Sequence, residues 1–206
     1  MAGTLITIEG LDGTGKSTLA AGLAEALAGR GVEAEVMREP GGVQLAERLR
    51  EIVKDPALDV DPRAEALIYA AARAQLVAER LGPLLAQGRW VILDRFVDSS
   101  LAYQGAGRGL GIENVAAINE LATGGIRPDR TLYLWLDPQV RAGRLDGRGE
   151  GADRLEASGE AFFAAVDGGY RELAAAEPAR IRTLDAALAP DELVGQALAA
   201  VEDLLP

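Results

Sequence analysis

Eight consecutive residues near the N-terminus have the types and spacing needed to hold a phosphate group. They match the pattern G-x-x-x-x-G-K-[ST] and are Gly10, Leu11, Asp12, Gly13, Thr14, Gly15, Lys16 and Ser17. Glycines let successive backbone N–H groups converge on phosphate oxygens, and a helix N-terminus adds partial positive charge. An apolar run at 5–8 precedes the pattern, and leucines at 19, 23 and 27 follow it with helical spacing. These flanks favour a phosphate-binding loop over a turn that only connects a strand to a helix.

Two side chains of this loop would act directly on a bound nucleoside triphosphate. Lys16 would bridge its β- and γ-phosphates, and Ser17 would place a hydroxyl on Mg²⁺. Asp94 follows the apolar run at 90–93, and a carboxylate at the end of a buried strand is well placed to hold Mg²⁺ through water. The alternatives for Asp94 are a helix cap or an ion pair with Arg95.

The composition favours phosphoryl transfer over other chemistry. The 206 residues include no histidine and no cysteine, which excludes Ser-His triads, thiol nucleophiles and thiolate metal sites. The net charge of −11 argues against nucleic-acid binding, so an anionic ligand needs locally gathered arginines. No apolar run approaches the roughly 20 residues of a membrane span, and no leader pattern is evident. We therefore expect a cytoplasmic enzyme with no membrane or nucleic-acid partner.

Short apolar segments alternate with longer helical patterns along the chain. Strands are predicted at 5–8, 32–37, 90–93, 131–136 and 181–184. Helices are predicted at 17–28, 43–53, 63–86 with an interruption near Gly82-Pro83, 112–122, 158–175 and 191–205. This alternation predicts a single α/β domain over residues 1–206, a three-layer α/β/α arrangement with a five-stranded parallel sheet. The glycine-bearing, charged segment at 146–153 is expected to be mobile.

Charged residues follow the second and third predicted strands. Arg38 and Glu39 come after one, and Asp94 and Arg95 come after the other. Ligands of open α/β sheets bind beyond the carboxyl ends of the strands, so these residues should converge near the phosphate loop. Arg38 and Arg95 could clamp a second phosphate bidentately, the alternative being a solvated surface ion pair.

Further candidates lie on predicted helices. Tyr69 and Arg73 are four positions apart and share a helix face, where they could stack on a base and hydrogen-bond its edge. An aromatic residue at helical spacing is, however, more often part of a core. The stretch 99–105 is polar and aromatic, unlike a core helix. Four arginines lie in and around the glycine-bearing segment: Arg141, Arg144, Arg148 and Arg154. They could form a flap that closes over transferring phosphates, or a solvated basic helix face.

Taken together, these residues resemble the bacterial thymidylate kinase family. The similar segments include IEGLDGTGKST at 8–18, REPGG at 38–42, YAAAR at 69–73 and DRFVDSSLAYQG at 94–105, followed by 107–109, 144–148, 153–156 and 162–163. The resemblance runs nearly end to end, whereas the phosphate loop alone would indicate only nucleotide binding. It implies a P-loop NTPase fold with a short mobile lid at about 144–156, and the reaction ATP + dTMP → ADP + dTDP with Mg²⁺.

The resemblance also implies roles for individual residues. ATP would be bound by Gly10, Leu11, Asp12, Gly13, Thr14, Gly15, Lys16, Ser17, Thr18 and Arg144. The substrate dTMP would be bound by Asp12, Arg38, Glu39, Tyr69, Arg73, Arg95, Ser100, Tyr103 and Gln104. Ser17 and Asp94 would hold the metal ion.

Within the substrate site the implied contacts are specific. Arg95, helped by Arg38, would hold the dTMP phosphate. Tyr69 would stack on thymine, Arg73 would reach its O4 atom, and Ser100 and Gln104 would lie near the base edge. Tyr103 would pack where a ribose 2′-hydroxyl would lie, and Asp12 would meet the 3′-hydroxyl.

The source of the catalytic arginine separates subtypes of this family. Some members carry it inside the phosphate loop, where this chain has Gly13. The arginines of this chain lie in the lid region instead, as in the bacterial subtype. The implied catalytic residues are Lys16, Arg95, Asp12 and Arg148, with Arg154 and Arg144 as the next candidates for the lid arginine.

Three positions depart from the family pattern. Phe96 stands where many members have tyrosine, Ala72 stands where an acidic or polar residue is common, and Tyr69 replaces the usual phenylalanine. None touches the phosphate chemistry, and the last two adjoin the base pocket.

Two other functions stay open from the residues alone. A kinase for dUMP, CMP or AMP would use the same phosphate chemistry, and a regulatory P-loop switch would need no second phosphate site. The resemblance further implies a homodimer formed through helices on one side of the sheet.

Overall fold

A five-stranded parallel sheet organises the residues that the computed structural model describes, which are 3–146, 154–155 and 158–206. Its strands are β1 (Thr4–Glu9), β2 (Ala34–Arg38), β3 (Trp90–Asp94), β4 (Arg130–Trp135) and β5 (Ile181–Asp185). They lie in the order β2-β3-β1-β4-β5, and every neighbouring pair is parallel. The predicted sheet is confirmed, with each strand end displaced by two residues or fewer.

Helices cover both faces of this sheet. They are α1 (Lys16–Ala28), α2 (Gln44–Lys54), α3 (Pro62–Leu76), α4 (Gly82–Ala86), α5 (Val97–Ser100), α6 (Ile112–Thr123), α7 (Pro138–Asp146), α8 (Glu160–Ala176) and α9 (Pro190–Ala200). Two π-helical segments, Val77–Leu81 and Leu101–Gly107, and a short 3₁₀ helix, Glu202–Leu204, complete the helical elements of the described residues. Within those residues, none of the helices has the length and apolar character that crossing a membrane would require.

The central strand β1 is buried on both faces, as parallel sheets require. Ile6 and Ile8 pack on one face with Leu19, Leu23 and Leu27 of α1, the leucines whose spacing predicted that helix. Successive side chains of a strand alternate between faces, so Leu5 packs on the opposite side with residues of α3 and β3. This burial fixes the end of β1 and hence the start of the phosphate loop.

Three helical features differ from the sequence prediction. The helix predicted at 63–86 does not break at Gly82-Pro83 but passes through the π-helical segment Val77–Leu81. A wider turn accommodates Pro83, which has no N–H and whose ring would press on a carbonyl in a regular α-helix. Helix α7 was not predicted, because its sequence PQVRAGRLD has few apolar residues. The stretch 99–105 is helical, largely within Leu101–Gly107.

Candidate active site

The loop between β1 and α1 is shaped to present backbone N–H groups to an anion. Gly10, Gly13 and Gly15 have φ values of 137°, 88° and 89°, a region that favours glycine. A Cβ atom at Gly10 would lie 2.5 Å from the Leu134 carbonyl oxygen, so a side chain does not fit there. No side chain among the described residues caps the N-terminus of α1. Its first N–H groups can therefore bind a phosphate.

Lys16 is buried and folded back over this loop. Its Nζ donates to the Leu11 carbonyl oxygen at 3.1 Å and lies 3.6 Å from Asp12 Oδ1. Burial and the neighbouring Arg95 lower the pKa of Lys16 to about 8, although Asp12 and Asp94 act in the opposite direction. An ammonium held in this way gains stabilisation when a phosphate binds, as a P-loop lysine requires.

Ser17 and Asp94 lie side by side at the carboxyl end of the sheet. The Ser17 hydroxyl donates to Oδ2 of Asp94 at 2.8 Å. Ser17 belongs to the first turn of α1, and Asp94 is the last residue of β3. Hydroxyl and carboxylate oxygens are the ligands that Mg²⁺ prefers, so this donor set fits that ion.

Arg95 connects the phosphate loop to the neighbouring pocket. Its Nη2 donates to Asp12 Oδ1 at 2.8 Å and to the Tyr103 hydroxyl at 3.2 Å. The guanidinium carbon also lies 5.0 Å from the centre of the Tyr103 ring. The backbone φ of Arg95 is 70°, a left-handed conformation that is uncommon outside glycine and that tends to occur at functional sites.

Asp12 is an acceptor at the boundary between the loop and the pocket. Burial raises the pKa of Asp12, but Arg95 and Lys16 outweigh this effect and hold it well below its usual range. The carboxylate is therefore ionised at neutral pH and can accept a hydrogen bond from a ligand hydroxyl.

Glu9, a buried carboxylate that the sequence analysis did not single out, supports Arg95 through two hydroxyl groups. Its Oε2 accepts hydrogen bonds from the Tyr170 hydroxyl at 2.9 Å and from the Ser99 hydroxyl. Both hydroxyls in turn contact Arg95 Nη1, at 3.4 Å and 3.1 Å. Burial, followed by the negative charge of Asp98, raises the pKa of Glu9 to about 7. Glu9 thus fixes the two groups that orient the Arg95 guanidinium.

One pocket beside the phosphate loop collects most of the predicted substrate residues. Those that line it are Asp12, Glu39, Tyr69, Arg73, Arg95, Ser100, Tyr103 and Gln104. It is also lined by Pro40, Arg50, Lys54, Ser99 and Leu155. Arg95 contacts Asp12 at the phosphate loop, and the lining also includes the Gln104 amide, the Ser100 hydroxyl and the Tyr69 ring. These groups suit a ligand that carries both an anionic group and a flat polar ring.

Arg73 is 2% exposed and is held by several elements. Its Nε donates to Glu39 Oε2 at 2.7 Å, its Nη1 donates to Ser100 Oγ at 2.9 Å and to Asn119 Oδ1, and its Nη2 donates to the Phe96 carbonyl at 2.8 Å. Burial raises the pKa of Glu39, and Arg73 opposes that shift. Oε1 of Glu39 is buried without a hydrogen-bond partner among the described residues. The contact of Arg73 with a base stays a prediction.

Arg38 makes an ion pair with Glu47, the alternative stated above, and is not among the residues that line the pocket with Arg95. It is exposed, and its Nη2 donates to both carboxylate oxygens of Glu47 at 2.9 Å and 3.2 Å. Met37 is turned into the core, so the next side chain of the edge strand points away from it.

Arg50 and Lys54 were missed by the sequence analysis although both line the pocket. They lie four positions apart on α2 and therefore share a helix face. Arg50 Nη1 also donates to the Pro40 carbonyl oxygen at 3.0 Å. Two basic residues at that spacing were the available signal, but nothing in the sequence indicated that their face borders the pocket.

The predicted lid arginines have different surroundings. Arg144 Nη2 donates to the Ala186 carbonyl at 3.0 Å, and its Nη1 lies 3.5 Å from the Gly13 carbonyl. Arg144 also lines a groove with Thr18 that begins at the phosphate loop. Residues 147–153, which include Arg148, lie outside the described residues.

Arg154 is tied to two helices rather than to the phosphate loop. Its Nε donates to the Val53 carbonyl at 2.9 Å, and its Nη2 donates to Glu65 Oε2 at 2.6 Å. Leu155, which follows it, lines the pocket. In this arrangement Arg154 anchors the end of the predicted lid region against α2 and α3.

Comparison with known proteins gives one consistent result. A family model described as Thymidylate kinase matches residues 8–197. The thymidylate kinase of Rhizorhabdus wittichii is 45% identical over 208 residues, covering 100% of each chain. That of Deinococcus radiodurans is 46% identical over 98% of this chain and 97% of its own. That of Halorhodospira halophila is 44% identical over 99% of this chain and 96% of its own.

Proposed function

The chain belongs to the thymidylate kinase family, and we propose that it transfers the γ-phosphoryl group of ATP to dTMP by positioning and charge neutralisation, with no protein general base. The observation that carries this proposal is the position of Arg95. Its guanidinium contacts Asp12 of the phosphate loop and Tyr103 of the adjoining pocket. A cation at that junction can contact an acceptor phosphate next to the triphosphate site.

The acceptor dTMP lies in the pocket with its phosphate toward Arg95 and Arg50. Tyr69 stacks on thymine, while Arg73, Ser100 and Gln104 face the base edge. This placement is supported by the lining of the pocket, which contains cationic, amide, hydroxyl and ring groups. Asp12 accepts a hydrogen bond from the 3′-hydroxyl, and Tyr103 packs against the deoxyribose. Arg38 contributes only indirectly, since its pairing with Glu47 braces the turn that precedes α2.

The donor ATP lies on the phosphate loop, with its base in the groove beside Arg144. That groove is lined by Thr14, Gly15, Thr18, Arg144, Ala186, Leu188 and Pro190, among others. Its lining is largely apolar apart from Arg144, Asp191 and threonine hydroxyl groups, which suits a flat heteroaromatic ring. Arg144 spans from the phosphate loop to the segment after β5, so it can lie over an adenine placed there.

The reaction needs no proton acceptor from the protein. A dTMP phosphate oxygen, already ionised near neutral pH, attacks the γ-phosphorus, and the bond to the β–γ bridging oxygen breaks as ADP leaves. Lys16 and the loop N–H groups offset charge on the triphosphate, and Arg95 holds the attacking phosphate in line. Arg148 adds positive charge from the lid region. Ser17 and Asp94 would hold Mg²⁺, which neutralises charge on the β- and γ-phosphates when bound.

The protein also forms a homodimer in this proposal, through α2, α3 and α6. Helix α3 packs against both of the others. Large apolar side chains on these helices face outward: Leu45, Ile52, Leu67 and Leu121, the last 87% exposed. Leu67→Glu should give a monomer in sedimentation velocity, whereas Val140→Glu, at an exposed position of α7, should not change the mass. Family membership also supports the cytoplasm as the location.

The test of the proposed function is ADP formation from ATP and Mg²⁺ with single acceptors. Acceptors are dTMP, dUMP, ribo-TMP, CMP, UMP, AMP and GMP, and Lys16→Ala is the inactive control. Strong turnover with dTMP and weak turnover with the ribonucleotides is the expected result. Preference for another monophosphate would overturn the placement of the base, and ADP formation independent of any acceptor would overturn the kinase reaction.

A further inference from the structure

Glu65 is a fully buried carboxylate beside the pocket that the mechanism above does not use. Its Oε1 accepts hydrogen bonds from Gln104 Nε2 at 2.8 Å and from Arg108 Nε at 3.2 Å. Its Oε2 accepts from Arg108 Nη2 at 3.1 Å and from Arg154 Nη2 at 2.6 Å. Two guanidinium groups therefore hold a carboxylate that can only accept hydrogen bonds.

An acceptor-only partner determines which end of the Gln104 amide faces it. Nε2 must point to Glu65, because the reverse orientation would place the amide oxygen against a carboxylate oxygen. Oε1 then points away from Glu65. Since Gln104 lines the pocket, this oxygen is the part of the amide that a bound base can reach.

Pyrimidine bases differ in the hydrogen bonds that such an oxygen can form. Thymine and uracil carry an N3–H donor beside the O4 acceptor, whereas cytosine has an N3 acceptor beside the N4 amino donor. An amide oxygen accepts from N3–H but repels the lone pair of the cytosine N3. In a buried site, a polar group left without a partner costs enough to reject the wrong base.

We propose that Glu65 is a specificity-determining positioning residue. By fixing the Gln104 amide, it makes the pocket accept a base with N3–H and O4 and reject cytosine. The inference rests on the proposed function, since it takes the pocket to hold the base of the acceptor. Arg108 and Arg154 act with Glu65 by holding its carboxylate stationary between three segments of the chain.

The experiment measures kcat/KM for dTMP, dUMP and dCMP in Glu65→Gln and Glu65→Asp. An amide at position 65 can donate to Gln104 Oε1 and allow the Gln104 amide to turn. An aspartate keeps the charge but withdraws the carboxylate by one methylene, so it serves if Glu65→Gln folds poorly. We expect the dTMP-to-dCMP ratio to fall about tenfold or more in both variants. The dTMP-to-dUMP ratio should stay at the wild-type value, because both bases present N3–H and O4.

A double-mutant cycle tests whether Glu65 acts on base specificity through Gln104. Gln104→Leu should lower the dTMP-to-dCMP ratio as Glu65→Gln does, and the double variant should show no further fall. Glu113→Gln, the same chemical change at an exposed acid of α6, is the matched control and should keep the wild-type ratio.

Two results would overturn this assignment. Equal losses with all three acceptors would make Glu65 a structural residue only, and losses that add to those of Gln104→Leu would exclude action through Gln104. A wild-type protein that forms no ADP with dTMP would instead contradict the proposed function itself.

Discussion

The Ser17 hydroxyl donates a 2.8 Å hydrogen bond to Asp94 although the two residues are 77 positions apart. The contact exists because β1 and β3 are neighbouring parallel strands, with Ile8 opposite Asp94. The start of α1 and the end of β3 are thereby held at the same edge of the sheet. Two oxygen donors converge there without any third acidic residue being required, since nucleotide phosphates and water supply the remaining ligands of Mg²⁺ in such sites.

Asp94→Asn should therefore weaken Mg²⁺ binding more than it weakens dTMP binding. We expect the Mg²⁺ concentration for half-maximal activity to rise and kcat to fall by about tenfold or more, because one charge that orders the ion is lost. Titration of activity with Mg²⁺ at saturating ATP and dTMP measures this. Glu113→Gln, an exposed acid on α6, is the control. An unchanged Mg²⁺ titration in Asp94→Asn would remove Asp94 from the metal site.

The lowered pKa of Lys16, about 8, predicts a loss of ATP capture at alkaline pH. The charged form is the protonated form, so kcat/KM for ATP should fall about tenfold per pH unit above that value. Bound triphosphate restores the charge, and kcat at saturating ATP should fall at higher pH than kcat/KM does. Lys16→Arg, which stays charged, should be less active but flat between pH 7 and pH 10. If Lys16→Arg showed the same alkaline fall, another group would be responsible.

The raised pKa of Glu9, about 7, predicts that stability declines as the pH rises from about 4.5 to about 7. In this interval the folded state holds a proton on Glu9 that the unfolded chain has released, so deprotonation favours unfolding. The effect should amount to about 1–3 kcal/mol. Urea unfolding of the wild type and of Glu9→Gln at pH 5 and pH 8 measures it. Glu9→Gln should lose less stability over this interval, and equal losses in both proteins would contradict the assignment.

The sheet edge was predictable from the sequence, whereas side-chain directions at that edge were not. The position of Asp94 followed from a buried strand and from the rule that parallel strands end together. The outward direction of Arg38 depends on which face of β2 meets the core, and that strand shows no strict alternation. The burial of Glu9 depends on Tyr170, 161 positions later in the chain. Contacts of this kind arise from helix packing across the sheet and leave no local pattern in the sequence.

The resemblance, by contrast, named residues for which the structure supplies a physical reason. Tyr103 and Gln104 belong to the π-helical segment Leu101–Gly107, which brings both side chains to the pocket. Neither side chain shows helical amphipathic spacing in the sequence, which is why the segment was not predicted as a helix. Glu65 was not singled out, because a lone acid within a helix is usually a solvated residue.

Arg148 and Arg154 should have separable effects, because Arg154 already serves as an anchor. Its guanidinium binds the buried Glu65 and the Val53 carbonyl. Arg154→Ala should therefore lower the free energy of unfolding by about 1–3 kcal/mol, since a buried carboxylate loses one of its partners. Arg148→Ala should lower kcat by about 10²–10³-fold through the loss of transition-state charge neutralisation, with little change in KM for dTMP or in thermal stability. Steady-state kinetics and thermal unfolding of both variants distinguish the catalytic role of Arg148 from the anchoring role of Arg154. Full activity in Arg148→Ala, combined with a large kcat loss in a stably folded Arg154→Ala, would transfer the catalytic role to Arg154.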